Sequence, residues 1–103
     1  MPYFEISTTK YEEDIKLIQV AMTKMEAICN VASGFKFGEP TSRFGWTFLQ
    51  IYLDQELCMG IEDKFSDMIK KCKGYKPDEK FTNFLSQYFE SRGCNVKVKM
   101  VND

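Results

Sequence analysis

One stretch limits the folds open to this chain more than any other, residues 44–53, Phe-Gly-Trp-Thr-Phe-Leu-Gln-Ile-Tyr-Leu. It contains the only tryptophan and the densest run of aromatic and β-branched residues, which favour strands. Along a strand these side chains alternate between two faces, with Thr47, Leu49, Ile51 and Leu53 on one and Trp46, Phe48, Gln50 and Tyr52 on the other. Both faces are largely apolar, so we predict a strand inside a sheet, covered at least in part on each side.

The chain before this stretch predicts a short strand and a long helix. Residues 2–7 place Phe4 and Ile6 on one face of a strand. From about residue 10 to residue 33, apolar residues recur at steps of three and four, which is typical of an amphipathic helix. Thr9 with a glutamate three residues later fits a capping box, and Gly34 is a natural stop.

A hairpin and an ambiguous segment surround the central stretch. Residues 35–37 alternate and predict a short strand that pairs with part of residues 44–53, while Gly38 and Pro40 predict a loop over residues 38–42. After Leu53 the spacing favours a helix over about residues 55–73. The alternative is a strand over 56–61 followed by a helix from residue 62.

The remainder of the chain predicts a helix over residues 78–92 and a final strand over residues 96–100. The helix carries a stripe of aromatic and leucine side chains at Phe81, Phe84, Leu85, Tyr88 and Phe89. In the strand, lysines alternate with apolar residues, which suits a sheet edge.

The fold class that follows is α+β, a two-layer sandwich with a mostly antiparallel sheet and helices on one face. The predicted order is β-α-β-β-α-α-β within a single domain, residues 1–103, and a ferredoxin-like arrangement is compatible with it. In that arrangement the strands at 2–7 and 44–53 form the central pair. The face with Trp46, Phe48, Gln50 and Tyr52 then has no helix left to cover it.

Composition excludes several classes of function. The formal net charge is −1 over 103 residues, so no global basic field exists to hold nucleic acid or an anionic membrane. No apolar run approaches the length of a membrane span. The four cysteines lack the C-x-x-C spacing and the histidine partners of a zinc site, so we expect reduced thiols in the cytoplasm and no metal.

Catalytic chemistry finds little support in the sequence. The chain has no histidine, which removes Ser-His and Cys-His pairs, and we expect neither an enzyme nor a cofactor. Cys29 and Cys72 fall in apolar stripes and are predicted core residues, whereas Cys94 follows a glycine at a helix–strand junction and is the best candidate for an exposed thiol. The acidic residues between 54 and 67 are interleaved with or followed by Lys64, Lys70, Lys71 and Lys73, which can pair with them at helical spacing as on a solvated helix face.

Two weaker binding signals lie near the hairpin. Lys36, Thr41, Ser42 and Arg43 could hold a phosphate or carboxylate. The run from Arg43 to Phe48 resembles in part the aromatic strand of RNA-recognition domains, whose β-α-β-β-α-β order is also predicted here, although the first glycine of that motif is missing. This resemblance implies that bases would stack on Trp46 or Phe48.

The function that the sequence favours is a small protein-interaction module: an adaptor, subunit or stoichiometric inhibitor that binds a protein partner or a second copy of itself. Aromatic residues, methionine and arginine enrich the cores of interfaces. The predicted binding patch is Phe37, Arg43, Trp46, Phe48 and Tyr52. The alternative is a small RNA- or nucleotide-binding domain that uses the Thr41-Ser42-Arg43 loop and the aromatic strand.

Overall fold

The computed structural model describes residues 3–101, and the predicted start of the first strand at Pro2 lies outside them. The chain forms an antiparallel sheet with helices on one face, which confirms the predicted α+β class. The elements are β1 (Tyr3–Thr8), α1 (Tyr11–Cys29), β2 (Phe35–Phe37), β3 (Thr41–Arg43), β4 (Trp46–Leu53), α2 (Gln55–Lys64), α3 (Ser66–Lys70), α4 (Pro77–Ser91) and β5 (Lys97–Val101).

The sheet places β4 and β1 at its centre, as predicted. Its strand order is β2-β4-β1-β5, with β3 also paired to β4, and every pairing is antiparallel. In the register of the three strands, Glu5 of β1 lies between Gln50 of β4 and Lys99 of β5. This order is compatible with the ferredoxin-like arrangement, which stays a prediction.

The predicted loop at 38–42 is partly wrong, because residues 41–43 form strand β3. Between the Phe37–Ile51 pair and the Thr41–Phe48 pair, three residues of one strand (38–40) face two of β4 (49–50). This extra residue is a β-bulge, and it contains Pro40, which cannot donate to a ladder. Together β2 and β3 therefore behave as one bent edge strand along β4.

The hairpin turn corrects the predicted start of the central strand. Residues 44 and 45 are the two-residue turn between β3 and β4, and the strand begins only at Trp46. Phe44 and Gly45 have φ values of 52° and 80°, the pair of positive values that marks a type I′ turn. The phenyl ring of Phe44 is fully exposed at the tip.

Helix α1 starts and ends differently from the prediction. No side chain caps its N-terminus, so the Thr9 capping box is wrong. Instead, the Thr8 hydroxyl donates to the buried Asp14 carboxylate in the first turn and accepts from the Lys10 N–H at 3.0 Å. The helix ends at Cys29 because Asn30 adopts the left-handed conformation, four residues before the predicted stop at Gly34.

The segment after β4 is helical, and the alternative strand over 56–61 is absent. The predicted single helix over 55–73 is nevertheless broken, because Phe65 leaves helical geometry (φ −118°, ψ 23°) and separates α2 from α3. The ring of Phe65 packs against Phe84 of α4, with centroids 5.2 Å apart. Packing of this aromatic side chain onto the core accompanies the break.

The core lies between the sheet and the helices. Phe4 and Ile6 of β1 and Ile51 and Leu53 of β4 face apolar side chains of α1, α2 and α4, the buried ones being Ile18, Ala21, Met22, Met25, Leu57, Ile61, Phe81, Phe84, Leu85 and Phe89. The Phe4 ring stacks on the Phe81 ring at 5.8 Å, which joins the sheet directly to α4. The opposite face of the sheet is covered by no element of residues 3–101.

Candidate interaction surface

The open face of the sheet, opposite the helices, carries the side chains that alternate with the core residues. Its members are Tyr3, Glu5 and Ser7 of β1, Lys36 of β2, Thr41 and Arg43 of β3, Trp46, Phe48, Gln50 and Tyr52 of β4, and Lys97, Lys99 and Val101 of β5. None of these side chains is buried, whereas Leu49, Ile51 and Leu53 on the other face of β4 are. The predicted burial of Leu49, Ile51 and Leu53 is therefore confirmed, whereas no element of residues 3–101 supplies the cover that was also expected on the Trp46 side of β4.

Aromatic rings form the centre of the open face. Trp46, Phe48 and Tyr52 lie along β4, and the Tyr3 ring packs beside Tyr52 with centroids 5.2 Å apart. The Tyr52 hydroxyl donates to the Gln50 side-chain oxygen at 2.6 Å. Gly38 makes room for this pair, since a Cβ there would lie 3.0 Å from the Gln50 oxygen and 3.3 Å from the Tyr52 ring. These contacts hold the Gln50 side chain, the polar group between the aromatic rings, against Tyr52.

Basic side chains lie along both edges of the open face. Lys36 and Arg43 come from β2 and β3 at one edge, and Lys97 and Lys99 come from β5 at the other. The Lys36 ammonium lies 5.6 Å from the Tyr52 ring centroid, and the Lys97 ammonium lies 5.5 Å from the Trp46 centroid. Both distances are within the range of cation–π attraction. The rings at the two ends of β4 thus each have a lysine beside them.

A shallow depression on this face mixes both signs of charge. It has a volume of about 350 Å³ and is lined by Glu5, Glu39, Thr41, Arg43, Phe48 and Gln50. Two carboxylates therefore lie near the one guanidinium. An isolated anion would meet unfavourable charge here, which makes the depression a poor phosphate pocket.

The structure brings together four of the five predicted patch residues. Arg43 and Trp46 are cross-strand partners, and both share the open face with Phe48 and Tyr52. Phe37 lies on the other face, because it pairs with Ile51 and packs against the core. We therefore leave Phe37 out of the patch.

The predicted anion-binding residues are not brought to one place. Ser42 lies on the helix side of the sheet, where its hydroxyl is 3.2 Å from that of Thr47. Thr41 and Arg43 lie on the open face, and Lys36 lies beside Tyr52 at the far end of β4. The segment 41–43 is a strand, so it lacks the loop geometry on which this prediction depended.

The cysteines are all free thiols, and their positions correct one prediction. Cys94, expected to be exposed, is 1% exposed, because its N–H bonds to the Phe89 carbonyl and closes the end of α4 against the core. Burial raises the pKa of the Cys94 thiol, and the charge of Asp14 raises it further. Burial also raises the pKa of Cys58 to about 11, with added contributions from Glu62 and Asp54. Raised thiol pKa values disfavour the reactive thiolate.

Residues that the sequence did not assign to the surface are Tyr3, Lys97 and Lys99. The alternation of side chains within a strand shows which residues share a face of that strand. It does not show which face of β1 or β5 lies on the same side of the sheet as the Trp46 face of β4. The register of β1 against β4 and β5 supplies this information. Lys97 and Lys99, which on an edge strand discourage pairing with another chain, also form one rim of the open face.

Two further findings concern metals and membranes. Within residues 3–101, no group of three or more His, Cys, Asp and Glu side chains is placed to hold a metal ion. No helix in this part of the chain is long and apolar enough to cross a membrane. Comparison of the chain with protein-family models, curated proteins and solved structures finds no significant match.

Proposed function

We propose that this chain is a small protein-interaction module, an adaptor, subunit or stoichiometric inhibitor that binds its partner on the open face of its sheet. The observation that supports this most directly is the aromatic row of Trp46, Phe48 and Tyr52 on a face that no described element covers. Tryptophan, tyrosine and arginine dominate the energetics of protein interfaces. The proposed setting is the cytoplasm, where the four thiols would stay reduced.

Binding rather than catalysis accounts for the side chains on this face. The chain has no histidine to activate the hydroxyls of Ser7 and Thr41, which share the open face with aromatic, amide, acidic and basic side chains. The three cysteines with shifted thiol pKa values all shift upward, away from nucleophilic reactivity. We therefore propose that the chain acts by covering a surface of its partner.

Site-specific photo-crosslinking in the native host tests this proposal. A photoreactive phenylalanine analogue in place of Phe48 should cross-link to a protein. The same analogue in place of Val20, which is 56% exposed on α1, serves as the matched control and should not. Equal yields at the two positions, or no product from position 48, would contradict the proposal. Light scattering during size-exclusion chromatography distinguishes a foreign partner from a second copy.

A second candidate, RNA or nucleotide binding, is favoured by one observation. Four basic side chains lie on the same face as four aromatic rings, and proteins that bind single strands combine such groups. Titration of the Trp46 fluorescence with a uridine oligonucleotide at low salt tests it. Quenching that saturates would support nucleic-acid binding, and no change up to millimolar concentration would exclude it.

A further inference from the structure

We infer that the partner segment bound on the open face carries apolar side chains at its centre and acidic side chains at both ends. This inference rests on the proposed function, since it assigns the chemistry of the partner to that same face. It follows from how the side chains of the open face are distributed across the sheet: aromatic rings lie on the two central strands, and basic side chains lie on the strands at both edges.

The strand order fixes this arrangement. The rings of Trp46, Phe48 and Tyr52 lie on β4 and that of Tyr3 on β1, the two central strands. The basic side chains belong to β2 and β3 on one side and β5 on the other. Neighbouring strands are about 4.8 Å apart, so the two basic rims are about 14 Å from each other. An interface with an apolar centre and a charged rim is the usual layout for protein partners.

Charge complementarity then selects acidic flanks. The open face has four basic side chains, and its acidic ones are Glu5 on β1 and Glu39 in the bulge between β2 and β3. Glu5 lies directly opposite Lys99, a cross-strand pairing that offsets part of its charge. Glu39 lines the same depression as Arg43 and offsets its charge, so Lys36 at one edge and Lys97 at the other are left to meet the partner. Since the whole chain has a net charge of −1, this local excess of positive charge is a property of the face.

The two lysine–ring contacts fit the same occupant. The ammonium groups of Lys36 and Lys97 lie near the Tyr52 and Trp46 rings, and both lysines are exposed. A carboxylate at either rim can bind the lysine and draw it off the ring. The uncovered ring is then available to an apolar side chain from the centre of the segment.

Two other occupants fit less well. A nucleic acid strand needs a continuous basic track for its phosphates, whereas Glu5 on β1 and Glu39 on the β2–β3 edge interrupt the basic side chains of this face. A second copy, packed face to face, would bring two sets of basic rims together with few carboxylates between them. An acidic–apolar–acidic protein segment avoids both conflicts.

The single tryptophan makes the inference directly measurable, because Trp46 lies on the face itself. The probe is a synthetic peptide with a Leu-Phe-Leu centre flanked on both sides by glutamates. It should shift the Trp46 emission and bind more weakly as salt is added. A peptide with the same centre and lysine flanks should bind about tenfold more weakly at low salt, because like charges then meet at both rims.

Two double variants test whether the lysines of the open face bind the glutamates of the peptide. Lys36→Gln combined with Lys97→Gln removes one lysine from each edge and should weaken binding of the glutamate peptide about fivefold, the loss expected for two exposed charge pairs. Lys16→Gln combined with Lys24→Gln makes the same change in net charge on the exposed side of α1, and it should leave binding unchanged. Equal losses in the two double variants would overturn the inference, because the effect would then come from net charge alone.

The peptide titration separates failure of the inference from failure of the proposed function. Equal binding of the glutamate and lysine peptides would overturn the acidic flanks and leave a protein-binding aromatic face. Binding of a uridine oligonucleotide of matched length, with neither peptide bound, would overturn both. No emission change with any peptide up to millimolar concentration would overturn the inference, while cross-linking from position 48 would still decide the proposed function.

Discussion

Phe44 shows that a single residue can be placed against its own conformational preference. Its φ of 52° is unusual for a bulky side chain, and its fully exposed ring gains no packing in return. Asparagine is favoured at this position of a type I′ turn. We therefore expect Phe44→Asn to raise the free energy of unfolding by about 1 kcal/mol. Urea denaturation followed by Trp46 fluorescence measures the change.

The neighbouring glycine supplies the control for this prediction. Gly45 has a φ of 80°, and a Cβ placed there would meet no atom within 4 Å. Gly45→Ala should therefore lower the stability by about 1 kcal/mol through backbone strain alone. A loss of stability in Phe44→Asn would contradict the assignment of strain to Phe44.

The same residue explains a misplaced boundary. Aromatic residues favour strands and the usual Asn-Gly signal for a two-residue hairpin is absent, so the sequence predicts a strand that begins at Phe44. Only Gly45 suits the turn. The predicted exposure of Cys94 is wrong for a similar reason. A residue next to a glycine is typical of an exposed turn, but Cys94 lies at the end of α4 against the core and is buried.

At the scale of elements, Gly60 sets how closely α1 and α2 pack. It lies inside α2, where alanine would normally stabilise a helix by about 1 kcal/mol. A Cβ at this position would come within 2.8 Å of the Cys29 Cβ. We expect Gly60→Ala to lower the free energy of unfolding by about 1–3 kcal/mol, because the steric conflict outweighs the helix preference. Chemical denaturation checks the sign.

A second substitution tests the cause of that loss. Cys29→Gly combined with Gly60→Ala removes the opposing Cβ, so the double variant should lose less stability than the two single changes added together. Additive losses would show that the contact between α1 and α2 is not responsible. This close approach could not be foreseen from sequence, where Gly60 only weakens the case for a helix.

Most elements of the fold could nevertheless be predicted from periodicity. The parity of Leu49, Ile51 and Leu53 predicts their burial, and the stripe on α4 predicts its core face. Features set by contacts between distant segments could not be predicted. Phe65 interrupts a regular helical pattern where its ring packs on Phe84, and strand β3 exists only because residues 46–48 offer it a partner. The aromatic row of the interaction surface was accessible from parity, whereas its basic rims required the strand order.

For the whole molecule, the absence of histidine removes the side chain whose reference pKa lies nearest neutrality, so stability should change little between about pH 6 and pH 8. The shifted thiols then determine what happens at higher pH. Burial of the Cys58 thiol raises its pKa from 9.0 to about 11, and the negative charges of Glu62 and Asp54 add to this shift. Burial also raises the thiol pKa values of Cys29 and Cys94.

The sign of this effect follows from proton binding. Between pH 9 and pH 11 the Cys58 thiol ionises in the unfolded chain but stays protonated in the folded one. The unfolded state therefore binds fewer protons, and the free energy of unfolding should fall as the pH rises through this interval. The test compares two proteins so that the contributions of other groups cancel. Cys58→Ala should lose stability less steeply than the unmodified chain, as measured by urea unfolding at each pH. Parallel pH profiles would show that Cys58 ionises alike in both states.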